Sequence, residues 1–279
     1  MSASNRFERY KVHRMYENTY SIVDYAIMAA RMYLLVGDEK ALLIDSGYGG
    51  LDLHKIIRQI TDKEVIAAIT HGHLDHANGA YQFDEAYMHS TDTGVFESHS
   101  SPQLIRDFGY GGIAFKLPKA KVNNPDYRRY IESIAEKPRG PIMPLEDIAS
   151  FDLGNRTVTW TLVPGHTPGS AAFIDHKYHT AFDSDAAPGL GAWLFLNESI
   201  DLVTYRENLL AYYEFLSTEK VTRRYVGHSS RAVKPEKLLD LAECCRAFSE
   251  GKRKGILFHM PIGDARVVVS NSTAMFFRP

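Results

Sequence analysis

The chain has 279 residues, of which 44% are hydrophobic, 11% aromatic and 24% charged, and this composition excludes a disordered, fibrous or repeat protein. Its 32 lysines and arginines nearly balance 34 aspartates and glutamates, so no large positive field exists to attract nucleic acid or acidic lipid. The only two cysteines, Cys244 and Cys245, are adjacent and cannot easily close an unstrained disulfide, which favours a reducing compartment.

The amino-terminal residues 1–10 are polar and charged, and the apolar stretch 26–36 is short and interrupted by Arg31. Neither stretch resembles a signal peptide or a membrane span. We therefore expect a cytoplasmic protein without a membrane partner.

The first half of the chain alternates strand and helix patterns. Residues 31–36 and 41–44 are branched and apolar around Gly37-Asp38-Glu39-Lys40, which predicts a β-hairpin. Apolar residues at helical spacing over 53–60 predict a helix, and the continuous apolar run 65–69 predicts a buried strand that leads into a polar loop. A short strand is expected at 86–89.

No further strand pattern appears until residue 148, and this connection is longer than loops ordinarily run. We interpret residues 93–147 as an inserted lid within a single domain of residues 1–279. The second half is again rich in strands, with two helices: strands are predicted at 148–151, 158–163, 170–174, 180–182, 223–227 and within 265–277, and helices at 202–216 and 238–248. This order predicts an α/β fold in which two strand-rich halves pack as layers with helices outside.

The sequence Thr70-His71-Gly72-His73-Leu74-Asp75-His76 directly follows the strand predicted at 65–69. In an extended loop, His71 and His73 can point the same way and share one cation, while Asp75 and His76 can face a second cation nearby. Four residues of ligand type within six positions are hard to explain as core filling. The cluster therefore predicts metal binding.

These residues resemble the signature of the metallo-β-lactamase superfamily, in which a His-x-His-x-Asp-His loop is followed far along the chain by a histidine, an aspartate and another histidine. Pro164-Gly165-His166-Thr167-Pro168-Gly169 is similar to the segment that carries the next ligand of that family. Phe182-Asp183-Ser184-Asp185 is similar to the family's Phe-x-Gly-Asp, which places Asp185 in register and Asp183 outside the site. The last histidine is matched by His228 in Gly227-His228-Ser229-Ser230.

The resemblance implies a four-layered αββα sandwich that binds two divalent metal ions. The implied ligands are His71, His73 and His166 for one ion, Asp75, His76 and His228 for the other, and Asp185 between them. Asp75 is also implied as the catalytic residue that orients the attacking hydroxide, and Asp45 resembles the family's supporting aspartate after an early strand. Zinc is the expected metal, with iron or manganese as alternatives.

Two ions that share a water lower its pKa toward neutrality, so hydrolysis by a metal-bridging hydroxide is the expected chemistry. Small-molecule esters, thioesters and lactones remain open as substrates. Hydroxyacylglutathione hydrolases normally have a Gly-His-Glu-Tyr-like last motif, from which Gly227-His228-Ser229-Ser230 departs. The alternatives are a mononuclear-iron oxidoreductase of the same fold, similar to a sulfur dioxygenase, and a metal-binding sensor without turnover.

Other features support weaker expectations. Trp193, with Leu194 and Phe195, follows Asp185 and is interpreted either as a wall of the substrate pocket or as a core or subunit-interface residue. The histidines outside the signature, His99 among them, are expected to be structural or at the surface. No nucleic-acid partner is expected, and the strand pattern of 265–277 leaves an edge for a homodimer open.

Overall fold

The computed structural model describes residues 9–111, 117–188, 191–260, 262–270 and 273–279. It contains two compact units, Met1–Arg156 and Thr157–Pro279, and each is described separately here. The single domain of residues 1–279 stays a prediction. No helix in the described ranges combines the length and the apolar character that a membrane crossing requires.

A seven-stranded sheet organises the first unit, with its strands neighbouring one another in chain order. The strands are β1 (Tyr10–Tyr16), β2 (Thr19–Asp24), β3 (Ala30–Val36), β4 (Lys40–Ile44), β5 (Glu64–Ala68), β6 (Ala86–Met88) and β7 (Met143–Pro144). Pairing is antiparallel from β1 to β4 and parallel from β4 to β7. A further strand, β8 (Ser150–Asp152), belongs to the same unit. The carboxyl ends of the parallel strands β4 and β5 therefore lie at the same edge of the sheet.

The sheet follows the patterns in the sequence closely. The predicted hairpin is confirmed as β3 and β4, and the run 65–69 is confirmed as β5, whose inner residues are buried. The predicted helix at 53–60 is confirmed as α1 (Leu53–Ile57), which begins after Asp52 because the Asp52 carboxylate accepts the amide of Lys55 at 2.9 Å.

The segment predicted as a lid is largely helical. It contains α3 (Thr93–His99), α4 (Pro102–Gly111), α5 (Lys119–Val122) and α6 (Pro125–Ala135), and it follows the short α2 (Leu74–Ala77) of the polar loop. Short 3₁₀ turns lie at Ala80–Gln82, Ser90–Asp92 and Leu145–Asp147, and residues 112–116 lie outside the described ranges. Tyr127, Tyr130 and Ile131 of α6 form one buried cluster with Leu74, so these helices share a core with the polar loop.

The second unit contains two groups of paired strands. In the first group β13 (Arg223–Tyr225), β11 (Thr180–Phe182), β10 (Ala171–Asp175) and β9 (Thr157–Leu162) neighbour one another in that order. In the second group the order is β12 (Ala192–Leu194), β16 (Thr273–Phe277), β15 (Gly263–Ser270) and β14 (Ile256–Met260). The run 265–277, for which the sequence predicts one or two strands, thus contributes to two strands, β15 and β16.

Two helices complete the second unit, α7 (Leu202–Thr218) and α8 (Lys237–Ser249), and both confirm predicted helices. Asp201 begins α7 by accepting the amides of Val203 and Thr204, each at 3.0 Å. The core of this unit includes Tyr205 of α7 and Cys245 of α8. Cys244 and Cys245 are both free and buried.

Candidate metal centre

In the first unit the predicted metal loop lies at the carboxyl edge of β5, beside the end of β4. This is the position at which ligands bind in open α/β sheets. Asp45 follows β4 and adopts a left-handed backbone conformation with φ of 62°. Its side chain is turned toward the loop, where its carboxylate accepts the backbone amide of Thr70 at 2.8 Å.

Asp45 fixes the orientation of two of the predicted ligands. Its Oδ2 lies 2.8 Å from Nδ1 of His76, and its Oδ1 accepts the hydroxyl of Thr70 at 2.8 Å. Oγ1 of Thr70 in turn lies 3.0 Å from Nδ1 of His71. Because an ionised carboxylate only accepts hydrogen bonds, Nδ1 of His76 is the donor, and the Thr70 hydroxyl, having donated to Asp45, accepts from Nδ1 of His71. Both histidines therefore present the lone pair of Nε2, the form required of a metal ligand.

The predicted ligands of the first unit lie close together. The ring centroids of His71 and His73 are 4.7 Å apart, and those of His71 and His76 are 4.4 Å apart. Oδ2 of Asp75 lies 3.4 Å from Nε2 of His76. The three histidines are buried, whereas the Asp75 side chain is 12% exposed and so can be reached by solvent.

In the second unit His166 lies in the loop after β9. The loop is closed by the Thr167 amide, which donates to Oγ of Ser170 at 3.1 Å, and by the Ser199 hydroxyl, which donates to the carbonyl of His166 at 2.9 Å. Nδ1 of His166 lies 2.9 Å from the carbonyl oxygen of Trp193. A carbonyl only accepts, so Nδ1 of His166 donates to it and the lone pair again lies on Nε2.

Asp185 lies between the other two predicted ligands of the second unit. Its Oδ2 is 3.1 Å from Nε2 of His228 and 4.0 Å from Nε2 of His166. His228 is exposed and His166 is buried, so the Asp185 carboxylate lies between an exposed and a buried imidazole. One carboxylate between two imidazoles is the placement that a bridging ligand requires.

Asp183, which the sequence analysis places outside the predicted site, has a different environment. It is fully buried, forms an ion pair with Arg224 and accepts the hydroxyl of Tyr212 at 3.1 Å. Burial raises the pKa of this carboxyl, and Arg224 opposes the shift. The Asp183 carboxylate thus binds Arg224 and Tyr212 in the protein core.

The donor set within each unit suits a divalent metal ion. Ligand atoms of a tetrahedral zinc site with bonds of about 2.1 Å lie about 3.4 Å from one another. The distances of 3.4 Å for Asp75 to His76, 3.1 Å for Asp185 to His228 and 4.0 Å for Asp185 to His166 cluster around this value. Imidazole and carboxylate donors match zinc without excluding iron or manganese.

The sequence reading missed two residues that contact the predicted metal loop. His99, which the sequence analysis assigns to structural or surface residues, stacks its ring on that of His73 with centroids 4.3 Å apart and planes at 26°. The buried Asp92 accepts the amide of Gly72 at 2.9 Å. Both contacts are made by α3 or by Asp92, the residue that precedes it. No sequence motif marks either residue.

Comparison with known proteins identifies the group to which these features belong. A family model described as the metallo-beta-lactamase superfamily matches residues 28–198. The chain is 25% identical over 206 residues to the human protein named acyl-coenzyme A thioesterase MBLAC2, a match that covers 69% of this chain and 71% of that protein. It is 29% identical over 157 residues to hydroxyacylglutathione hydrolase GloC of Haemophilus influenzae, covering 54% of this chain and 64% of that protein.

Solved structures give the same result for the fold. The DIM-1 metallo-β-lactamase matches with a TM-score of 0.60 at 12% identity, over 86% of this chain and 98% of that one. A metallo-β-lactamase from Pontibacter korlensis matches with a TM-score of 0.58 at 11% identity, over 85% of this chain and 99% of that one. The predicted fold class is therefore confirmed.

Proposed function

Because the chain belongs to the metallo-β-lactamase superfamily, we propose that it hydrolyses thioesters of small acyl-carrying thiols, such as coenzyme A or glutathione, at a dinuclear zinc centre. The coarser activity is that of a metal-dependent hydrolase of ester-type bonds. Thioesters are favoured within that class because two differently named relatives, an acyl-coenzyme A thioesterase and a hydroxyacylglutathione hydrolase, are both named for releasing an acyl group from a thiol. This agreement is the observation that carries the proposal.

The ligands in this proposal are the seven side chains that the sequence indicates. They are His71, His73, Asp75, His76, His166, Asp185 and His228. Their support comes from the orientation of the imidazoles: Asp45 and Thr70 hold two of them, and the Trp193 carbonyl holds His166. Such outer contacts keep a ligand in its metal-binding tautomer.

Divalent ions held by these residues would supply a hydroxide at neutral pH and would polarise the carbonyl of the substrate. The residues of the chain perform the remaining tasks. Asp75 orients the attacking water through a carboxylate oxygen, since its side chain is partly exposed while the histidines around it are buried. A thiolate is a good leaving group because thiols have a pKa near 8.5, so a thioester needs little help from a protein acid.

The expected substrate class and cellular location also belong to this proposal. The substrate is a small molecule rather than a nucleic acid or a membrane lipid. The free thiols of Cys244 and Cys245 support a reducing compartment, and we place the protein in the cytoplasm on that ground. A homodimer remains an expectation.

The test combines metal analysis with a substrate panel in which the acyl group is kept constant. Protein purified without added metal is assayed with the coenzyme A thioester, the glutathione thioester, an oxygen ester and a lactone. We expect two zinc equivalents and a kcat/KM for one of the thioesters that exceeds that of the matched oxygen ester by about 100-fold or more. A chelator should abolish turnover, and added zinc should restore it.

The other outcomes identify the alternatives. Faster hydrolysis of the lactone or the oxygen ester would contradict the choice of thioester but keep the hydrolase. One iron per chain together with oxygen uptake would contradict the hydrolase and support the mononuclear-iron oxidoreductase. Bound metal without turnover of any substrate would support a metal-binding sensor.

A further inference from the structure

Helix α3 lies directly against the His-Gly-His part of the metal loop. A Cβ placed on Gly72 would lie 2.6 Å from the backbone nitrogen of Phe96, 2.9 Å from the carbonyl oxygen of Asp92 and 3.1 Å from Cβ of Val95. These distances are shorter than van der Waals contact, and two of the three atoms belong to the backbone. The loop and α3 are thus in contact along the main chain, with no space for a side chain between them.

The amino-terminal flank of α3 holds the backbone of the loop. Asp92 precedes the first residue of the helix, is fully buried, and accepts the Gly72 amide through Oδ2 at 2.9 Å. A buried carboxylate is strongly stabilised by a hydrogen bond of this kind, which is lost only at considerable cost. The amide of Gly72 is the link between His71 and His73, so Asp92 fixes the backbone from which both rings project.

The last residue of α3 holds the ring of His73. The rings of His99 and His73 are stacked, with centroids 4.3 Å apart, while the ring of His71 meets that of His73 edge-on at 4.7 Å. Phe108 of α4 stands behind His99, with ring centroids 6.5 Å apart. Stacking uses the face of the His73 ring, and both ring nitrogens lie at its edge, where they remain directed away from the stacked partner.

We propose that Asp92 and His99 are positioning residues that hold His73 in its metal-binding orientation, Asp92 through the loop backbone and His99 through ring stacking. The proposal rests on the proposed function, because it takes His73 as a metal ligand. It also assigns a task to the first helix of the segment interpreted as a lid: α3 is a support of the metal loop.

The test measures zinc affinity by competition with a chelator, using the full chain and the variants His99→Ala, His99→Phe and Asp92→Ala. We expect His99→Ala to raise the Kd for the zinc that His73 binds by about 10- to 100-fold, the usual effect of losing an outer contact of a ligand. His99→Phe should restore affinity to within about threefold, because a phenyl ring can stack on His73 in the same way. Asp92→Ala should weaken zinc binding as His99→Ala does.

The matched control is His54→Ala, which removes another imidazole of the first unit that rests on an aromatic ring, that of Phe83 at 5.3 Å. It should leave zinc affinity unchanged. Replacement of zinc by cobalt gives a second readout, since its visible absorption bands should shift in His99→Ala and return in His99→Phe. Thermal unfolding of the metal-free variants separates misfolding from loss of positioning.

Two results would be decisive against parts of this inference. If His73→Ala weakens zinc binding but His99→Ala behaves like His54→Ala, the positioning role is wrong and the proposed function stands. If His73→Ala itself leaves zinc binding unchanged, the ligand assignment of the proposed function is wrong. Equal loss in His99→Ala and His99→Phe would show that stacking is not the cause.

Discussion

Asp183 and Asp185 are separated by one residue and have opposite environments. Asp183 is fully buried and bonded to Arg224 and Tyr212, whereas the Asp185 side chain is 17% exposed and lies between His166 and His228. Ser184 between them has a φ of 45°, a left-handed conformation that turns the chain sharply. This turn directs one carboxylate into the core and the other toward the imidazoles.

The two aspartates should therefore separate stability from metal binding. Asp185→Asn is expected to weaken metal binding by about 100-fold or more and to reduce hydrolysis, with little change in the unfolding of the metal-free protein. Asp183→Asn leaves Arg224 buried without its counter-charge and should lower the free energy of unfolding by about 3–5 kcal/mol. Metal content measured on folded protein, together with urea unfolding, distinguishes the two effects.

Two other results would contradict the assignment of Asp185 as a metal ligand. If Asp183→Asn lost metal while remaining stable, the ligand would be Asp183 and the register of the sequence motif would be wrong by two residues. A stable, metal-loaded Asp185→Asn would remove the proposed bridging ligand.

The sequence indicates candidate ligands but not the residues that contact them. The His-x-His-x-Asp-His spacing is a local pattern, and it indicates metal chemistry without any knowledge of packing. His99 stacks on His73 only because α3 crosses the loop, and Asp92 faces Gly72 for the same reason. Contacts of this kind depend on tertiary packing, which a sequence motif does not contain.

Among the secondary-structure elements, most of those with regular burial were predicted, and the buried strand β2 is the exception. The strands β3, β4 and β5 have continuous buried faces, and α7 and α8 each carry an apolar stripe. The strands β1, β2, β7, β12 and β14 were not predicted from the sequence. Most residues of β1 and β14 are exposed, so no alternation of apolar and polar residues marks them, and β7 and β12 have only two and three residues. Partner strands, rather than their own patterns, define them as strands.

The helices of the segment 93–147 were missed for a different reason. The helices α3 and α5 are short, α4 buries only Ile105 and Gly109, and α6 buries tyrosines, a residue type that also occurs in loops. Tyr127 of α6 donates its hydroxyl to the carbonyl of Gly109 in α4 at 2.9 Å, and Gly109 leaves space for the side chain of Ile131. These contacts pack the helices of the segment interpreted as a lid against one another.

Tyr205 of helix α7 packs against Gly165 in the loop that carries His166, and a substitution of Gly165 tests this contact. A Cβ on Gly165 would lie 2.1 Å from Cδ2 of Tyr205, whose ring is fully buried and whose hydroxyl donates to the carbonyl of Ala186 at 2.8 Å. Gly165→Ala is expected to lower the free energy of unfolding by about 1–3 kcal/mol, as overpacking does, and to reduce zinc affinity by displacing His166.

A suitable control is Gly94→Ala in α3, where the added methyl group would meet no atom of the described residues within 4 Å. This change should leave stability unchanged or raise it by roughly 0.5–1 kcal/mol, since alanine favours a helix over glycine. Urea unfolding and zinc titration of both variants provide the measurement. Unaltered stability in Gly165→Ala would mean that the loop can move away from α7 at no cost.

At the scale of the whole molecule, one buried carboxyl should make stability depend on pH. Asp24 at the end of β2 is fully buried, and desolvation raises its pKa from 3.8 to about 7, although its carboxylate accepts the amide of Ala26 at 2.8 Å. The amide of Tyr48 and the charge of Lys121 lower the pKa, and the negative charge of Asp75 raises it.

The sign of the effect follows from the two states. Below about pH 4 the carboxyl is protonated in the folded and the unfolded chain alike, and it does not affect stability. Between about pH 4 and pH 7 the unfolded chain releases the proton while the folded chain retains it, so stability falls as pH rises, by roughly 4 kcal/mol at most. Above about pH 7 the loss is complete and constant.

Asp24→Asn removes this titration, because an amide stays neutral. Compared with the parent chain, the variant should gain stability progressively as the pH is raised from about 4 to about 8. Urea unfolding of the metal-free proteins across this range gives the difference, and Asp62→Asn, a change of an exposed aspartate, supplies the baseline. A difference between Asp24→Asn and the parent that does not vary with pH would refute the assigned role of Asp24.

The close approach of α3 to Gly72 also restricts the evolutionary history open to this chain. A mutation that adds a side chain between the two histidines would collide with the backbone of α3, and no change of rotamer relieves a collision with main-chain atoms. Descent to such a sequence must therefore pass first through a lineage in which α3 has shifted or been lost. In a phylogeny, replacement of this glycine should accompany or follow remodelling of α3 and never precede it.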